Sequence, residues 1–514
     1  MKIQWLPWLI FTLFGFYLLG NNFSAKLGMI DDHEIAMFLG SDGKINATQI
    51  PSLILSTEVG EYGHALRYRP IYYSFRIIET ALWRDNAQLW YGVRYVFSVF
   101  AMVLLFAIVS QYFPMIISYL FVFALFTLPF WPDILTRLGP SEIYAVPALM
   151  LFVYGYLKMW RTGTTGLWQM SLGYLICVGS KENFLILLPI LLLLAFKRIV
   201  QKKITVQEFF LYLVCTLFTL FIGTEIVLST QASGVDVYGT HISYLERIKT
   251  LYAYKRYIVQ TRHLELAVAT IFGSIILFFV SLKRHGWKKT FSSSLSIHLL
   301  TMGVIIMVIA SQSIFYNNSL PTNGRYDFPG IPLFSVLNLV AIHALIDVLP
   351  KALWGRILKM SLYIALVSYL LYVIFGKGYA PLLQQAKNNA LITTAFAQKL
   401  DVTTQALRQN PTVPLIMISH NYINFEPIVS LARYLSARGI TNPIMLSYAP
   451  DHDSADDTLS AVLSPRLTAV MQQGPSESLF ARFSPLRDLY GGEKCYSISF
   501  DQTFSSSCIN LATY

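Results

Sequence analysis

Residues 29–34 read Met29-Ile30-Asp31-Asp32-His33-Glu34, and they directly follow the apolar run Trp5–Phe23. That run has about the 20 residues that a helix needs to cross the hydrocarbon core of a bilayer. The acidic cluster, Asp31 to Glu34, therefore stands where the chain has just left the lipid. Because ionisable side chains at membrane depth are costly and usually functional, we expect this cluster to belong to a functional site.

The composition is that of a membrane protein. Of the 514 residues, 55% are hydrophobic and only 13% are charged, whereas about 25% are charged in an ordinary soluble domain. The net charge of +11 lies largely in short connections between apolar runs, such as Lys197–Lys203 and Lys283–Lys289. This is the positive-inside pattern of cytoplasmic loops. It makes membrane lipids the expected partner of the basic residues and argues against nucleic acid.

Apolar runs of span length recur along the chain, and we predict about eleven spans, with the N-terminus in the cytoplasm and the C-terminus outside. The segment Leu167–Phe196 is interrupted by Ser180-Lys181-Glu182-Asn183. We interpret it as a hairpin of two short helices, because a single span would place the basic run Lys197–Lys203 outside. The other predicted spans are Trp5–Phe23, Leu89–Tyr112, Met115–Trp131, Ile143–Trp160, Phe209–Leu228, Leu264–Leu282, Leu295–Phe315, Phe328–Leu349 and Ile357–Phe375.

The spans predict a mainly α protein, with a polytopic transmembrane helical bundle at residues 1–376. Its long outer loops are residues 24–88 and 229–263. In the first loop, Ala47–Ser56 and Pro70–Trp83 carry apolar residues at near-helical spacing, which predicts interfacial helices that border a cleft. In the second loop, basic and apolar residues at helical spacing from Leu245 to Ile258 predict an amphipathic helix on the membrane surface.

After the last span, residues 377–514 predict a small extracytoplasmic α/β domain. Cys495 and Cys508 lie at the edges of two of its strands, and we predict a disulfide between them because an extracytoplasmic compartment is oxidising. The predicted elements are a polar helical stretch at Gln384–Gln409, strands at Val413–Ser419 and Pro443–Ala449, a helix between them at Glu426–Arg438, a further helix near Thr458–Gln472, and strands at Cys495–Phe500 and Cys508–Ala512.

Under this topology a set of polar residues converges on the outer face. Such a set suits the transfer of a sugar from a polyprenyl phosphate, which needs a carboxylate to take the proton from the acceptor hydroxyl. The same reaction needs cations that stabilise the phosphate as it leaves. The lipid tail would lie in the apolar bundle while its head reaches the outer face. The residues of this set are the acidic cluster, Arg67, Arg69, Arg137, Glu142, Lys181, Glu182, Arg325 and Tyr326.

Three motifs at these residues resemble the GT-C class of polytopic membrane glycosyltransferases. They are Asp31-Asp32 after the first span, Tyr68-Arg69-Pro70 ahead of the helix Ile71–Trp83, and the run Arg137-Leu138-Gly139-Pro140-Ser141-Glu142 that opens the fourth span. Lys181-Glu182 and Gly324-Arg325-Tyr326-Asp327-Phe328-Pro329 fit the same pattern. The resemblance covers about Trp5 to Phe375 and does not reach the tail.

The resemblance implies an inverting glycosyltransferase that uses a polyprenyl-phosphate sugar on the extracytoplasmic face. The donor would be undecaprenyl-based in a bacterial inner membrane, and the acceptor a lipid-linked glycan or another cell-envelope molecule, as in lipopolysaccharide or O-antigen modification. One aspartate of the first loop would be the catalytic base, and we favour Asp32 over Asp31. The implied substrate-binding residues are Arg137, Lys181 and Arg325 for the donor phosphate, with Arg69, Glu142, His33 and Tyr326 beside them.

Alternatives to this interpretation remain. We expect no cofactor, although Asp31, Asp32 and His33 are residue types that also bind a divalent cation. A glycan polymerase or ligase with a diphosphate-linked donor would share the outer-face cations but depend less on an aspartate. A transporter or flippase of lipid-linked sugars would need a hydrophobic groove for the lipid tail but no catalytic base. A broken helix favours transport, and the interruption at Lys181 is the one feature of that kind.

Overall fold

A computed structural model describes most of the chain. Several predicted elements lie outside the described residues, apart from single positions. They are the helix at 245–258, the spans at 264–282 and 295–315, the helix at 458–472, the strand at 508–512 and both tail cysteines. The described residues are 5–61, 67–128, 130–162, 165–233, 328–348, 353–413, 415–419, 426–442 and 444–448, with isolated positions between 245 and 325 and short stretches at 484–485, 496–499 and 504–505.

Helices dominate the described chain, and 3₁₀ segments at Gly20–Ser24, Ala47–Gln49 and Glu182–Leu187 adjoin some of them. The helices are α1 (Leu6–Leu19), α2 (His33–Leu39), α3 (Ile50–Leu55), α4 (Pro70–Trp83), α5 (Ala87–Val109), α6 (Met115–Leu125), α7 (Trp131–Leu135), α8 (Glu142–Thr162), α9 (Leu167–Ser180), α10 (Leu188–Val200), α11 (Val206–Ser233), α12 (Gly330–Val348), α13 (Leu353–Lys377), α14 (Ala380–Gln409) and α15 (Glu426–Ala437).

The chain is an integral membrane protein. Within the described residues, six helical stretches are long and apolar enough to cross a membrane. They expose large apolar side chains such as Phe16, Phe196 and Phe209, which in a bilayer would face the acyl chains. The stretches are Leu6–Ser24, Ala87–Val109, Glu142–Trp160, Glu182–Val200, Val206–Ser229 and Leu353–Gln409.

The predicted span at Met115–Trp131 is divided in the structure. Helix α6 ends at Leu125, and the short helix α7 begins at Trp131. The indole N–H of Trp131 donates to the carbonyl of Leu125 at 2.8 Å, so the turn between the helices satisfies one of the carbonyls that the end of α6 leaves free. Helix α7 thus leads the chain from the end of α6 to the motif that begins at Arg137.

The interruption at Lys181 separates two helical stretches, as the sequence predicts. Lys181 contacts Glu142 at the start of α8, whereas the amine of Lys197 donates to the carbonyl of Trp160 near the end of α8 at 3.1 Å. The stretches on either side of Lys181 therefore run in opposite directions along α8. The basic connector after α10 and the start of α8 consequently lie at opposite ends of the bundle.

Helices α8 and α9 pack closely because glycines lie at their interface. A Cβ atom on Gly173 of α9 would come 2.5 Å from the carbonyl oxygen of Ala148 and from the nitrogen of Phe152, both in α8. A Cβ on Gly155 of α8 would come 2.5 Å from the oxygen of Gly166. Small residues let helix backbones approach in a membrane, where association depends on van der Waals packing rather than on the hydrophobic effect.

The predicted interfacial helices of the first loop are present as α3 and α4. Helix α4 buries one face that includes Arg76, Glu79 and Thr80. Glu79 forms a bidentate ion pair with Arg94 of α5, with N–O distances of 2.9 and 2.8 Å. Tyr144 of α8 donates to the same carboxylate at 2.5 Å. This buried network joins α4 to the first helices of the bundle.

The tail contains a mixed sheet. Its strands are β1 (Leu415–Ser419), β2 (Ile444–Tyr448), β3 (Ser484–Pro485), β4 (Tyr496–Ser499) and β5 (Phe504–Ser505). Their order in the sheet is β3-β2-β1-β4-β5. Strand β1 is parallel to both β2 and β4, and only β5 is antiparallel to its neighbour. Because parallel neighbours need a crossover connection, α15 lies between β1 and β2 in the chain.

Two tail helices pack against the first outer loop. Helix α14 contributes Phe396 and Leu400, and α15 contributes Leu431 and Leu435, to a core that also contains Ala36 of α2. Asn389 of α14 donates to the hydroxyl of Tyr91 in the bundle at 3.0 Å. Both helices therefore lie at the end of the bundle that carries the acidic cluster.

We predict that Glu79→Gln strongly destabilises the protein. The substitution leaves the Arg94 guanidinium buried without its carboxylate partner, which costs about 3–5 kcal/mol when one member of a buried pair is removed. Thermal unfolding in detergent measures the effect, and replacing both residues, as Glu79→Gln with Arg94→Gln, should recover much of the loss.

The exposed ion pair between Arg438 and Asp401 provides the control. Its atoms are 2.7 Å apart, with the two side chains 33% and 69% exposed. Asp401→Asn should cost only about 0–1 kcal/mol, since exposed pairs contribute little. Equal losses for Glu79→Gln and Asp401→Asn would contradict a special role for the buried network.

Candidate active site

The loop that carries the acidic cluster is held from two sides. The amide of Lys26 donates to the hydroxyl of Thr393 in α14 at 2.9 Å, and Tyr434 of α15 donates to the carbonyl of Gly28 at 2.7 Å. From the bundle, Tyr91 donates to the carbonyl of Lys26 at 3.5 Å. The position of the cluster is therefore set jointly by the membrane helices and by the tail.

Asp31 has a strained backbone and an accessible side chain. Its φ is +67°, a left-handed conformation that is uncommon for residues other than glycine. The side chain is 37% exposed, and its Oδ2 lies 3.0 Å from Nη2 of Arg137. Gly139 packs directly against it, since a Cβ on Gly139 would collide with the Cβ of Asp31. Strain of this kind concentrates at functional sites.

Asp32 is buried although it is the next residue. It is 3% exposed, and its Oδ2 accepts a hydrogen bond from the amide of Gly28 at 2.7 Å. Its Oδ1 is 3.9 Å from the Arg76 guanidinium. Burial raises the pKa of Asp32 to about 6, and Arg76 offsets only part of that rise. The two neighbouring aspartates therefore differ in exposure, since the side chain of Asp31 is accessible and that of Asp32 is buried.

Arg76 of α4 connects the cluster to the rest of the site. The side chain is fully buried and donates to the carbonyls of Leu138 at 3.0 Å and Asp31 at 3.2 Å. Its Nε lies 3.7 Å from a carboxylate oxygen of Glu34. The guanidinium also stands over the ring of Trp90, 5.0 Å from the centroid. Arg76 thus compensates the negative charge of the cluster from the buried side, within the protein.

A row of alternating charges extends from Asp31 along the surface. Arg137 bridges Asp31 and Asp133, with N–O distances of 3.0 Å to each. Arg325 follows, its Nε 3.5 Å from the other oxygen of Asp133. The side chains of this row are between 24% and 37% exposed. Of the predicted phosphate ligands, Arg137 therefore contacts Asp31 and Arg325 lies further along the same row, while Tyr326 lies outside the described residues.

Arg69 is engaged by a carboxylate that the sequence analysis did not single out. It forms a bidentate pair with Glu58, at 3.0 and 3.2 Å, and its guanidinium lies 5.1 Å from the centre of the Tyr72 ring. The hydroxyl of Tyr72 is 3.1 Å from a carboxylate oxygen of Glu34. Arg69 consequently supports the residues that contact the cluster.

Lys181 and Glu142 form a buried ion pair with each other. Their side chains are 4% and 1% exposed, and the pair lies where α9 ends and α8 begins. Two residues later, the side-chain amide of Asn183 donates to the carbonyl of Phe328 at 2.6 Å. The charge of Lys181 is therefore compensated within the protein, in contrast to the exposed charges of Arg137 and Arg325.

The tail helix α15 packs against His33. The hydroxyl of Ser430 lies 2.7 Å from Nδ1 of His33, and the carbonyl of Met29 is 3.4 Å from the same nitrogen. Burial, assisted by the charge of Arg433, lowers the pKa of His33 to about 3. The imidazole is therefore neutral at physiological pH, and it contacts the tail rather than an exposed surface.

Several site residues were not among the sequence candidates. Arg76 had a detectable signal, because it lies four residues after Tyr72 and four before Thr80, on the face of α4 that is buried. Asp133 also had one, since it lies four residues before Arg137, a spacing that brings side chains together on a helix. Ser430, Arg433 and Tyr434 had none, because only the tertiary structure brings the tail to the first loop.

The three residues named as metal ligands have different partners. Asp31 contacts Arg137, Asp32 contacts the Gly28 amide, and His33 contacts Ser430. Among the residues that the structure describes, no group of three or more histidine, cysteine, aspartate or glutamate side chains is placed to hold a metal ion.

Comparisons with known proteins give structural matches only. No protein-family model and no curated protein matches the chain. The chain is similar to the crystal structure of ArnT from Cupriavidus metallidurans bound to undecaprenyl phosphate, with 11% identity and a TM-score of 0.47 over 97% of this chain and 93% of that chain. For ArnT in the apo state the values are 13% and 0.46, over 96% and 92%. What this chain does therefore rests on its own residues.

We predict that Asp32→Asn raises stability at neutral pH. The folded-state pKa of Asp32, about 6, lies above the ordinary 3.8, so ionisation of this carboxyl opposes folding. The variant should match the wild type below about pH 4 and exceed it as pH rises through 6, by up to about 3 kcal/mol. Unfolding in detergent across this pH range measures the difference.

Asp42→Asn, at an exposed position after α2, controls for the removal of a negative charge. A stability difference between Asp32→Asn and the wild type that is the same at pH 4 and at pH 8 would contradict a raised pKa for Asp32.

Gly139→Ala should destabilise the protein by about 1–3 kcal/mol, as overpacking does. The new methyl group would displace Asp31 and with it the contact to Arg137. Gly223→Ala is the matched control, because a Cβ at Gly223 meets nothing within 4 Å. Unfolding temperatures in detergent compare the two, and an unchanged value for Gly139→Ala would refute the close packing against Asp31.

Proposed function

We propose that the protein is an inverting glycosyltransferase that moves a sugar from a polyprenyl-phosphate donor to a cell-envelope glycan or lipid-linked acceptor. The observation that carries this proposal is the exposed Asp31 carboxylate, 3.0 Å from Arg137 in a row that continues to Arg325. The reaction needs a carboxylate to accept the acceptor's proton and cations to stabilise the departing phosphate. Both groups are accessible here side by side, at one end of a membrane bundle.

Asp31 is our choice for the base, although the sequence alone favoured Asp32. A base must first reach the proton that it takes, and only then does its pKa matter. Asp31 is 37% exposed, whereas Asp32 is 3% exposed and tied to the Gly28 amide. Asp32 and Arg76 then hold the loop in the conformation that presents Asp31.

The phosphate would be bound by Arg137 and Arg325. Both guanidiniums are partly exposed and share the carboxylate of Asp133, which holds two positive charges close together. An arginine can bind two phosphate oxygens at once. Lys181 contributes less directly in this proposal, since its side chain is buried in the pair with Glu142, whereas those of Arg137 and Arg325 are partly exposed.

We assign the lipid part of the donor to an apolar crevice between α6, α12 and α13. Along the chain, α6 leads into α7, which carries Asp133, and α12 begins five residues after Arg325, so two of its three helices connect directly to the row of charges. Its lining residues include Leu125, Leu128, Leu339, Leu366 and Leu370.

The site would face the extracytoplasmic side of a bacterial inner membrane. The basic connector after α10 lies at the end of α8 opposite Glu142, because Lys197 contacts Trp160. Basic connectors remain in the cytoplasm, so the acidic cluster and the tail would lie outside, in a domain spanning residues 377–514.

The direct test is transfer activity in proteoliposomes. Wild-type protein, undecaprenyl-phosphate sugars and envelope lipids as acceptors should give a glycosylated product, detected by mass spectrometry. Asp31→Asn should lower the rate by about 10²- to 10⁴-fold, the usual contribution of a general base. Asp32→Asn should lower it less, and the exposed Asp42→Asn should not lower it.

The same assay separates the rival functions. Full activity in the double variant, Asp31→Asn with Asp32→Asn, would overturn the proposed mechanism. A polymerase or ligase would accept only a diphosphate-linked donor. A transporter, which the helix interruption at Lys181 favours, would move the lipid-linked sugar across the bilayer and leave it chemically unchanged.

A further inference from the structure

Helix α15 presents one face to the acidic cluster. Ser430 contacts His33 at 2.7 Å, and Tyr434 donates to the carbonyl of Gly28 at 2.7 Å. Residues four apart on a helix lie on the same side, so the face that carries both contacts covers the loop. This face is also well packed, with Ser430 fully buried and Tyr434 only 5% exposed.

Arg433 lies on this face, three residues after Ser430 and one before Tyr434. Because its helix neighbours Ser430 and Tyr434 contact His33 and Gly28, Arg433 lies beside the cluster, where its charge acts on His33 and Glu34. Its Nε is buried and donates to no acceptor among the described residues. A buried donor that lacks an acceptor is costly. The Nε–H group of Arg433 can therefore donate a hydrogen bond to a ligand at the site.

The environment of Arg433 favours an anion as the missing partner. Burial lowers the pKa of Arg433, which means that the charged form is destabilised where it stands. An added negative group would restore that lost stabilisation, as a partner does for any buried charge. Arg438, at the end of the same helix, differs because it already pairs with Asp401 at 2.7 Å.

We propose that Arg433 completes the active site from the tail by donating its buried N–H to an oxygen of a substrate phosphate. The inference rests on the proposed function, since it assumes that a phosphate-bearing lipid binds at the acidic cluster. Arg137 and Arg325 would reach that phosphate from the segments around α7 and α12, and Arg433 would reach it from the tail helix α15. The phosphate belongs either to the sugar donor or to a phosphorylated acceptor.

The test compares Arg433→Gln with Arg438→Gln in the full-length protein in proteoliposomes. Each variant removes one positive charge from α15 or its end, but only Arg433 adjoins the cluster. Arg433→Gln should raise the KM of the phosphate-bearing substrate about 10- to 100-fold, the effect of losing a charged hydrogen bond, with a smaller change in kcat. Arg433→Lys should recover part of the loss, because it keeps the charge but not the planar fork.

The KM values of the two substrates show which of them carries the phosphate that Arg433 contacts. A raised KM for the donor assigns the phosphate to the donor, and a raised KM for the acceptor assigns it to the acceptor. Unchanged KM values for both substrates, or equal effects of Arg433→Gln and Arg438→Gln, would overturn the proposal. Equal unfolding temperatures for the two variants verify that neither has lost its fold.

Binding provides a readout that does not depend on catalysis. Undecaprenyl phosphate, titrated into purified wild-type protein and into Arg433→Gln, reports the affinity for the phosphate alone. If the wild type transfers no sugar, the proposed glycosyl transfer fails, yet weaker binding by Arg433→Gln than by Arg438→Gln still supports the phosphate contact. Equal binding by both variants, together with equal KM values, rejects it.

Discussion

The buried guanidinium of Arg76 is the group on which the site depends. It donates to the carbonyls of Asp31 and Leu138, so one side chain joins the first outer loop to the segment that leads into α8. A full charge at this depth would be prohibitive without partners, and the carboxylates of Asp32 and Glu34 supply them. Removing Arg76 would leave these acids uncompensated and the loop without its anchor.

The acidic cluster shows features that oppose stability and are typical of functional sites. Asp31 has a left-handed backbone conformation, and burial raises the pKa of Asp32 to about 6. Both cost free energy that a purely structural loop would avoid. The surrounding protein offsets these costs with its buried apolar core and with the close packing of α8 on α9. The stability of the helical bundle thus permits the unfavourable backbone conformation of Asp31 and the burial of Asp32.

The tail is part of the same arrangement. Helices α14 and α15 share a core with α2, and their side chains contact the first loop directly. The loop between α1 and α2 consequently has a bundle side, formed by α4 and α5, and a tail side, formed by α14 and α15. The acidic cluster therefore has a positive charge on each side, Arg76 from the bundle side and Arg433 from the tail side.

The sequence by itself determined the membrane character, the helices of the first loop, the interruption at Lys181 and the β1–α15–β2 order, because hydrophobic runs, helical spacing and strand patterns act locally. It also identified Asp31, Arg137 and Arg325, which the structure brings into one row. Only the tertiary structure decided that Asp31 is exposed while Asp32 is buried, and that Lys181 and Arg69 already have carboxylate partners. It alone brought Arg433 to the cluster. Burial and partner choice depend on segments hundreds of residues apart, such as His33 and Ser430, and no local pattern encodes such a contact.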